Sequence, residues 1–472
     1  MNSKGIIFYL GLLCFPISFL AFINILYSLY FDHFINVNSY TLTLLISSLV
    51  GFLFYFFGRK SQKRLNFFDQ VVLLIVSYFV TSFLISIVYF TSNYNISFIN
   101  AVFESFSGIT LTGFSIFNNI KYLDPTLIIW RSSSQWIGGL YFLIFLIMLF
   151  NNKQFYYKLN TLTYCFDSSL NSANQIKNDL IKITIFYLSL SFLIFFLLSL
   201  SDVRLFNGLN LSMSLISSGG FLPTNSLNTI IKTPNQKFFY LISLVISFIN
   251  IFFIFNLFKK GAIIRKHQED LFLIIFFLII SIILILFLKD KKLLDILISV
   301  ASCLSNSGIS ITKMPDNFTL YFLFITIIGG SLISNTSGIK LIRIYILLKS
   351  TTAEILKLVR PNNIISQNIL FSEKKISKEN AKISFLIFIS FFLSIFVLSS
   401  ILIFDQINFE DSFKISVLTL TNTVNSDIYG TQNINFSNLL VSSKIGLIIF
   451  MVIGKIELIS LFLLIKKFLF KN

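Results

Sequence analysis

The chain has 472 residues, of which 55% are hydrophobic and only 12% charged, with a mean hydropathy of +0.84. A soluble domain cannot hide that much apolar surface, and apolar runs of about 20 residues recur throughout, which excludes a soluble globular protein. The net charge of +17 would suit nucleic acid, but the basic residues cluster in alternate loops, so it reads as membrane topology with no nucleic-acid partner.

In chain order, the first apolar run (5–31) is too long for a signal-peptide core and lacks a small-residue cleavage site, so it reads as a retained helix. Nine more segments are long enough to cross a bilayer: 40–57, 67–91, 126–150, 179–200, 236–258, 270–288, 318–348, 383–404 and 439–466. An even number places both termini on one side. Lys and Arg choose that side. Arg59, Lys60, Lys63 and Arg64 follow the second span, and Lys259, Lys260, Arg265 and Lys266 the sixth. Lys349, Lys357, Arg360, Lys374, Lys375, Lys378 and Lys382 follow the eighth, and Lys466, Lys467 and Lys471 close the chain. These loops and both termini are expected in the cytoplasm. Lys289, Lys291 and Lys292 dissent, since they fall on the opposite side.

Cys14, Cys165 and Cys303 are far apart and form no CxxC. His33 and His267 have no ligand-type neighbour at metal spacing, so neither a zinc site nor a His-based triad is expected. With no paired acidic motif inside a span either, a membrane enzyme is not expected.

Four of the outside loops begin with an apolar stretch too short to span: 97–108, 206–217, 293–304 and 410–421. Each has the length of a re-entrant helix, and each runs into a small, polar turn before the next span. The chain therefore divides into two leading helices (1–66) and four copies of span, short helix, turn and span (67–150, 178–260, 268–350 and 383–472). A basic cytoplasmic linker (351–382) separates the last two. The expected fold is an all-α integral membrane protein with four pseudo-symmetric repeats around a central pore.

The four turns are Thr110-Leu111-Thr112-Gly113, Ser217-Ser218-Gly219-Gly220, Ser305-Asn306-Ser307-Gly308 and Thr423-Val424-Asn425-Ser426. Non-helical backbone at membrane depth survives only where it is buried or faces a water-filled cavity. Carbonyl oxygens in such turns can replace the hydration shell of a monovalent cation. Glycine's access to φ > 0 lets successive carbonyls point at one axis, and each short helix aims its negative end there. The bland alternative is a set of ordinary extracellular turns.

Several segments resemble the TrkH/KtrB family of potassium transporters. Residues Phe103 to Gly113 (FESFSGITLTG) are similar to the family's first pore loop, and Trp130 to Gly139 (WRSSSQWIGG) to its W-R-x-x-x-Q-W-I-G-G segment. Ile328-Gly329-Gly330-Ser331, continuing to Gly338-Ile339-Lys340-Leu341-Ile342-Arg343, resembles the third-repeat glycine-rich run, and Gly454-Lys455-Ile456-Glu457 resembles G-R-x-E of the last span. The resemblance covers nearly the whole chain. It implies a K+-translocating subunit, TrkH-like in its two leading helices, with filter glycines at Gly113, Gly220 and Gly308. Counting from Ser416 puts the fourth filter position on Ser426, where the family usually has glycine. Serine at a filter position accompanies Na+ transport in related plant proteins, so Na+ stays an alternative cargo. Asp427 beside it is either charge at the outer mouth or a solvated acid.

In the span 318–348, Gly329, Gly330, Ser331, Ser334, Asn335, Thr336, Ser337 and Gly338 weaken a helix. The resemblance implies an intramembrane gate loop beneath the filter; two helices packed through small residues would be the alternative. Lys455, near the middle of the last span, is expected to face the pore or to be neutralised by an acid on another helix. Glu104 either adds negative potential near the filter or hydrogen-bonds backbone behind it. Arg131 is read as snorkelling at the start of a span. The linker is expected to dock a regulator or anionic lipid, or simply to obey the positive-inside rule. A homodimer and a cytosolic nucleotide-binding ring (TrkA-like) are implied by resemblance alone, as is a bacterial inner-membrane location. Flow is passive or coupled to H+ or Na+. A secondary transporter of organic solutes is the rival class; it would show unwound helices at the midplane instead of four short helices entering from outside.

Overall fold

The computed structural model describes residues 2–61, 65–150, 173–257, 267–360, 376, 378–431 and 434–456. Thirteen residues used above lie outside them: Lys63, Arg64, Cys165, Lys259, Lys260, Arg265, Lys266, Lys374, Lys375, Glu457, Lys466, Lys467 and Lys471.

The described chain is all-α. Helices α1 (Ser3–Tyr30) and α2 (Val37–Gly58) form a leading pair that packs on the first repeat; Tyr141 there donates its hydroxyl to the Leu13 carbonyl of α1. The first repeat is α3 (Phe67–Thr91), a short α4 (Phe98–Ile109) and α5 (Pro125–Phe150). The second is α6 (Ala173–Leu200), the short α7 (Leu205–Ser217), then α8 (Pro234–Phe248) and α9 (Ile251–Leu257). The third is α10 (Gln268–Phe287), the short α11 (Leu293–Leu304), α12 (Thr319–Ile328) and α13 (Leu341–Val359). The fourth is α14 (Lys378–Ile403), the short α15 (Phe409–Leu420) and α16 (Val441–Ile456).

Local chemistry sets the helix starts. At α8, Thr233 and Gln236 satisfy each other's backbone N–H groups in a capping box, with Pro234 in the first turn. At α3, Asn66 and Asp69 do the same. Seven described helices are long and apolar enough to cross a membrane. Their outer faces carry Phe52, Phe192, Leu286 and Phe396, each about two-thirds exposed, an apolar surface suited to lipid. The four short helices are the reverse: after its first turn α4 is wholly buried, as is most of α7, α11 and α15. They form the centre, and the long helices surround them.

Two spans read as continuous are interrupted. Residues 236–258 break at Ile249-Asn250, and 318–348 break at 329–340. Helix α10 satisfies backbone freed at both breaks. Asp270 accepts from the Asn250 N–H at 2.9 Å, and Glu269 from the Leu332 N–H at 2.7 Å. The two breaks also pair directly, since the Ser331 N–H donates to the Phe248 carbonyl and the Ile251 N–H to the Ile333 carbonyl. Buried backbone polar groups without partners would make such breaks costly. Asp270 also faces the His267 ring at 3.1 Å, so this histidine, read from sequence as lacking a carboxylate neighbour, has one. Among the described residues no cluster of three His, Cys, Asp or Glu could hold a metal ion.

Candidate functional site: a ring of four loops

Each short helix ends in a loop of the same construction. The first loop residue but one has positive φ: Leu111 (+70°), Ser218 (+60°), Asn306 (+58°) and Asn422 (+47°). Its N–H closes on the carbonyl three residues back, in Gly108, Leu215, Cys303 and Thr419. In three loops the flanking hydroxyls touch: Thr110 with Thr112 (2.9 Å), Ser305 with Ser307 (3.0 Å) and Thr421 with Thr423 (3.0 Å). Two residues after the first positive φ comes a second one at Gly113 (+78°), Gly220 (+81°) and Gly308 (+65°). Asparagine tolerates the first of these positions well, and glycine is the residue that takes the second without strain.

This shared pattern corrects the register of the fourth loop. Thr421, Asn422, Thr423 and Val424 align with Thr110, Leu111, Thr112 and Gly113, so the count from Ser416 ran two residues too far. Ser426 lies beyond the equivalent position, with an extended backbone (φ −150°). Its hydroxyl donates instead to the Gly308 carbonyl of the third loop. Asn425 is likewise past the turn and accepts from Thr431 at 2.6 Å. Val424 therefore stands where the other three loops have glycine.

The loops are cross-braced. Gln135 of α5 donates to the Gly219 carbonyl (2.6 Å) and accepts from the Phe221 N–H (3.0 Å), so it splints the second loop from the first repeat. Asn306 donates to Thr423 Oγ1 at 3.1 Å, and Asn422 donates to Thr112 Oγ1 at 2.9 Å. Arg131 does not snorkel. It is 1% exposed, its Nε meets Glu104 Oε1 at 2.8 Å, and its guanidinium lies 4.2 Å from the Phe221 ring centre. A snorkelling head needs water within reach, and here a buried carboxylate supplies the partner instead. Glu104 also accepts from the Ile116 N–H and the Ser115 hydroxyl, which fixes the chain just past the first loop. Sequence reasoning undervalued Gln135 and Arg131; the signal was two long polar side chains in a span otherwise rich in small and apolar residues.

On one side of the ring a cavity of about 520 Å³ is lined by Gly113, Gly220, Val424, Asn425, Phe221 and Arg131, among others. On the other side lies the non-helical segment 329–340. It contains Gly329, Gly330, Ser331, Ser334, Asn335, Thr336, Ser337 and Gly338, all buried except Gly338, with Gly329 and Gly338 at positive φ. Asn335 donates to the Ile216 carbonyl at the end of α7 (2.8 Å). Lys340 closes the segment on itself, donating to the Ser331 carbonyl (3.0 Å), the Thr336 carbonyl (2.6 Å) and the Thr336 hydroxyl (2.7 Å). Lys455 of α16, fully buried, donates to the Asn335 carbonyl and lies 4.4 Å from the Phe142 ring centre. Two buried ammonium groups thus hold this one segment, and carbonyls rather than an acid on another helix receive Lys455. Glu269 was not singled out from sequence, and Lys340 only as part of the run that carries the resemblance.

Four short helices entering a ring from one face, with an interrupted span against the other face, define an all-α integral membrane protein of four pseudo-symmetric repeats. The family model for TrkH, described as a cation transport protein, matches residues 36–260. An uncharacterized cation transporter of Methanocaldococcus jannaschii is 26% identical over 100% of this chain and 97% of its own length. The Trk system potassium uptake protein TrkH of Escherichia coli is 22% identical over 90% of this chain and 91% of its own. The crystal structure of the potassium transporter TrkH from Vibrio parahaemolyticus superposes with a TM-score of 0.85 at 22% identity, covering 98% of both chains. The chain is thus similar to the TrkH cation transport family over residues 36–260 and shares the TrkH fold.

Proposed function

We propose that the chain is a K+ uptake subunit that conducts a monovalent cation through the ring of loops. The observation that carries this reading is the repeated loop geometry: a positive-φ residue follows each of four buried short helices, and a positive-φ glycine follows it in three of the loops, a turn that can aim carbonyls at one axis from the negative helix ends. That the relatives include Trk potassium uptake proteins supports K+ as the cargo. In this reading the filter is formed by Thr110–Gly113, Ser217–Gly220, Ser305–Gly308 and 421–424, and the segment 329–340 is the gate. Lys340 and Lys455 hold it in its closed arrangement by bonds that an opening motion would have to exchange for water or other partners.

The same reading places the protein in a bacterial inner membrane with both termini cytoplasmic, as a homodimer on a cytosolic nucleotide-binding ring. The basic residues Lys349, Lys357 and Arg360 on and after α13 suit that docking face or anionic lipid.

The test is growth and Rb+ uptake in a bacterial strain stripped of its own potassium uptake systems, with the regulatory ring co-expressed. Gly113→Asp is the control, because a Cβ there would sit 2.6 Å from the Gly219 carbonyl at a φ of +78°. Rb+ uptake lost in the variant supports a K+ path through the loops. Na+ uptake without Rb+ would keep the path and change the cargo. Uptake of neither ion would refute the proposal.

A further inference from the structure

We propose that Val424 is a hydrophobic constriction across the mouth of the ring, and that it sets the rate at which ions enter the filter. The inference rests on the reading of the ring as an ion path.

The register above makes Val424 the counterpart of Gly113, Gly220 and Gly308, and its side chain fills the space those three glycines leave. A Cβ built on Gly113 would lie 3.1 Å from both Cβ and Cγ2 of Val424. One on Gly220 would lie 2.9 Å from its Cβ and 3.2 Å from Cγ1, and one on Gly308 would lie 3.1 Å from Cγ1. One isopropyl group therefore faces all three other repeats at once, with its methyls spread between the first loop and the third. A side chain can do this only from the axis side of its own loop. The cavity above is lined by the same three residues, Gly113, Gly220 and Val424, so Val424 lies where an ion would pass from cavity to ring.

A cation leaving water needs oxygen ligands in exchange, and two methyl groups offer none. Apolar constrictions of this kind oppose ions by expelling water from the path. A carbonyl ligand is also compromised at this level. The Gly308 carbonyl already accepts the Ser426 hydroxyl, so part of its lone-pair capacity is turned from the axis. One residue deeper the Gly219 carbonyl likewise has a partner, Gln135 at 2.6 Å, while the hydroxyls of Thr112, Ser307 and Thr423 pair within their own loops. What sets the Val424 level apart is therefore its apolar side chain among three glycines.

The experiment is Rb+ flux into proteoliposomes containing the full chain, comparing wild type with Val424→Gly, Val424→Ala and Val424→Thr, each also in a Gly113→Asp background. Monodisperse elution and an unchanged thermal midpoint verify folding. Removing the isopropyl should raise flux at least tenfold, the equivalent of lowering a barrier by about 1.4 kcal/mol. Alanine should fall between, and threonine, which keeps the volume but puts a hydroxyl oxygen where a methyl stood, should also raise flux several-fold. Gly113→Asp should abolish flux in every background. If Val424→Gly matches wild type while Gly113→Asp still abolishes flux, the constriction is refuted and the ion path stands. If flux in all the Val424 variants is indifferent to Gly113→Asp, the ion path itself fails, and the constriction with it.

Discussion

Glu104→Gln is the perturbation that most sharply separates a structural ion pair from an electrostatic role at the filter. Glu104 is fully buried, Arg131 is 1% exposed, and they meet at 2.8 Å. The carboxylate also takes the Ile116 N–H at 2.9 Å and the Ser115 hydroxyl at 3.1 Å. The amide keeps the shape and accepts at one atom, but leaves the guanidinium buried without a counter-charge. Breaking a buried pair in this way costs about 3–5 kcal/mol. Removing both charges, in Glu104→Gln with Arg131→Met, should recover about half or more of that loss, because no uncompensated charge remains. The assay is denaturant unfolding in detergent micelles, followed by tryptophan fluorescence and analysed as a double-mutant cycle. Trp130 precedes Arg131 and is buried, so it reports on this neighbourhood. A coupling energy of about 2 kcal/mol or more is expected. A Glu104→Gln protein within about 0.5 kcal/mol of wild type would refute the pair as a strut and return Glu104 to a role in the field of the pore.

Gln135→Leu should cost about 1–3 kcal/mol in the same assay, since it strips the Gly219 carbonyl and Phe221 N–H of their partner; Rb+ flux should fall several-fold more than in Ser132→Ala, a control in the same helix, and equal losses would contradict the splint. Lys455→Met removes the ammonium that binds the Asn335 carbonyl, so basal Rb+ flux without the regulatory ring should rise; an unchanged or lower basal flux would argue that Lys455 does not restrain the gate. Asn422→Leu loses the bonds to Thr112 and Met451 and puts a branched side chain at φ +47°, so it should destabilise by about 2 kcal/mol or more, read as a lower thermal midpoint. Glu269→Ala should expose 329–340 to faster amide exchange through the lost Leu332 bond; protection equal to wild type would mean that the bond is dispensable.

Much of this architecture was legible because its signals are long. Spans of 20 residues and four short apolar stretches before polar turns survive any local ambiguity, and helices Phe98–Ile109, Leu293–Leu304 and Phe409–Leu420 lie within a residue of the expected stretches. The fourth loop was misread because counting from a helix residue assumes equal helix ends. The decisive signal, paired hydroxyls at Thr421 and Thr423 matching Thr110 and Thr112, becomes plain only once backbone bonds fix the register. The broken sixth span was missed because Ile249-Asn250 is one polar residue in an apolar run. Its stability comes from Asp270, twenty residues on, and from the third repeat's loop, contacts that no local pattern encodes. Arg131 was misjudged for the same reason, since a basic residue near the start of a span usually reaches water, and its partner sits on another helix.

The central claim, that four loops form one cation path, is tested most directly by locating Rb+ in the protein. Crystals grown in Rb+ and measured at its absorption edge should show anomalous density on the axis between Thr110–Thr112, Ser217–Gly219, Ser305–Ser307 and residues 421–423, and this density should vanish in Gly113→Asp. Rb+ density elsewhere in the protein, with none on that axis, would contradict the account.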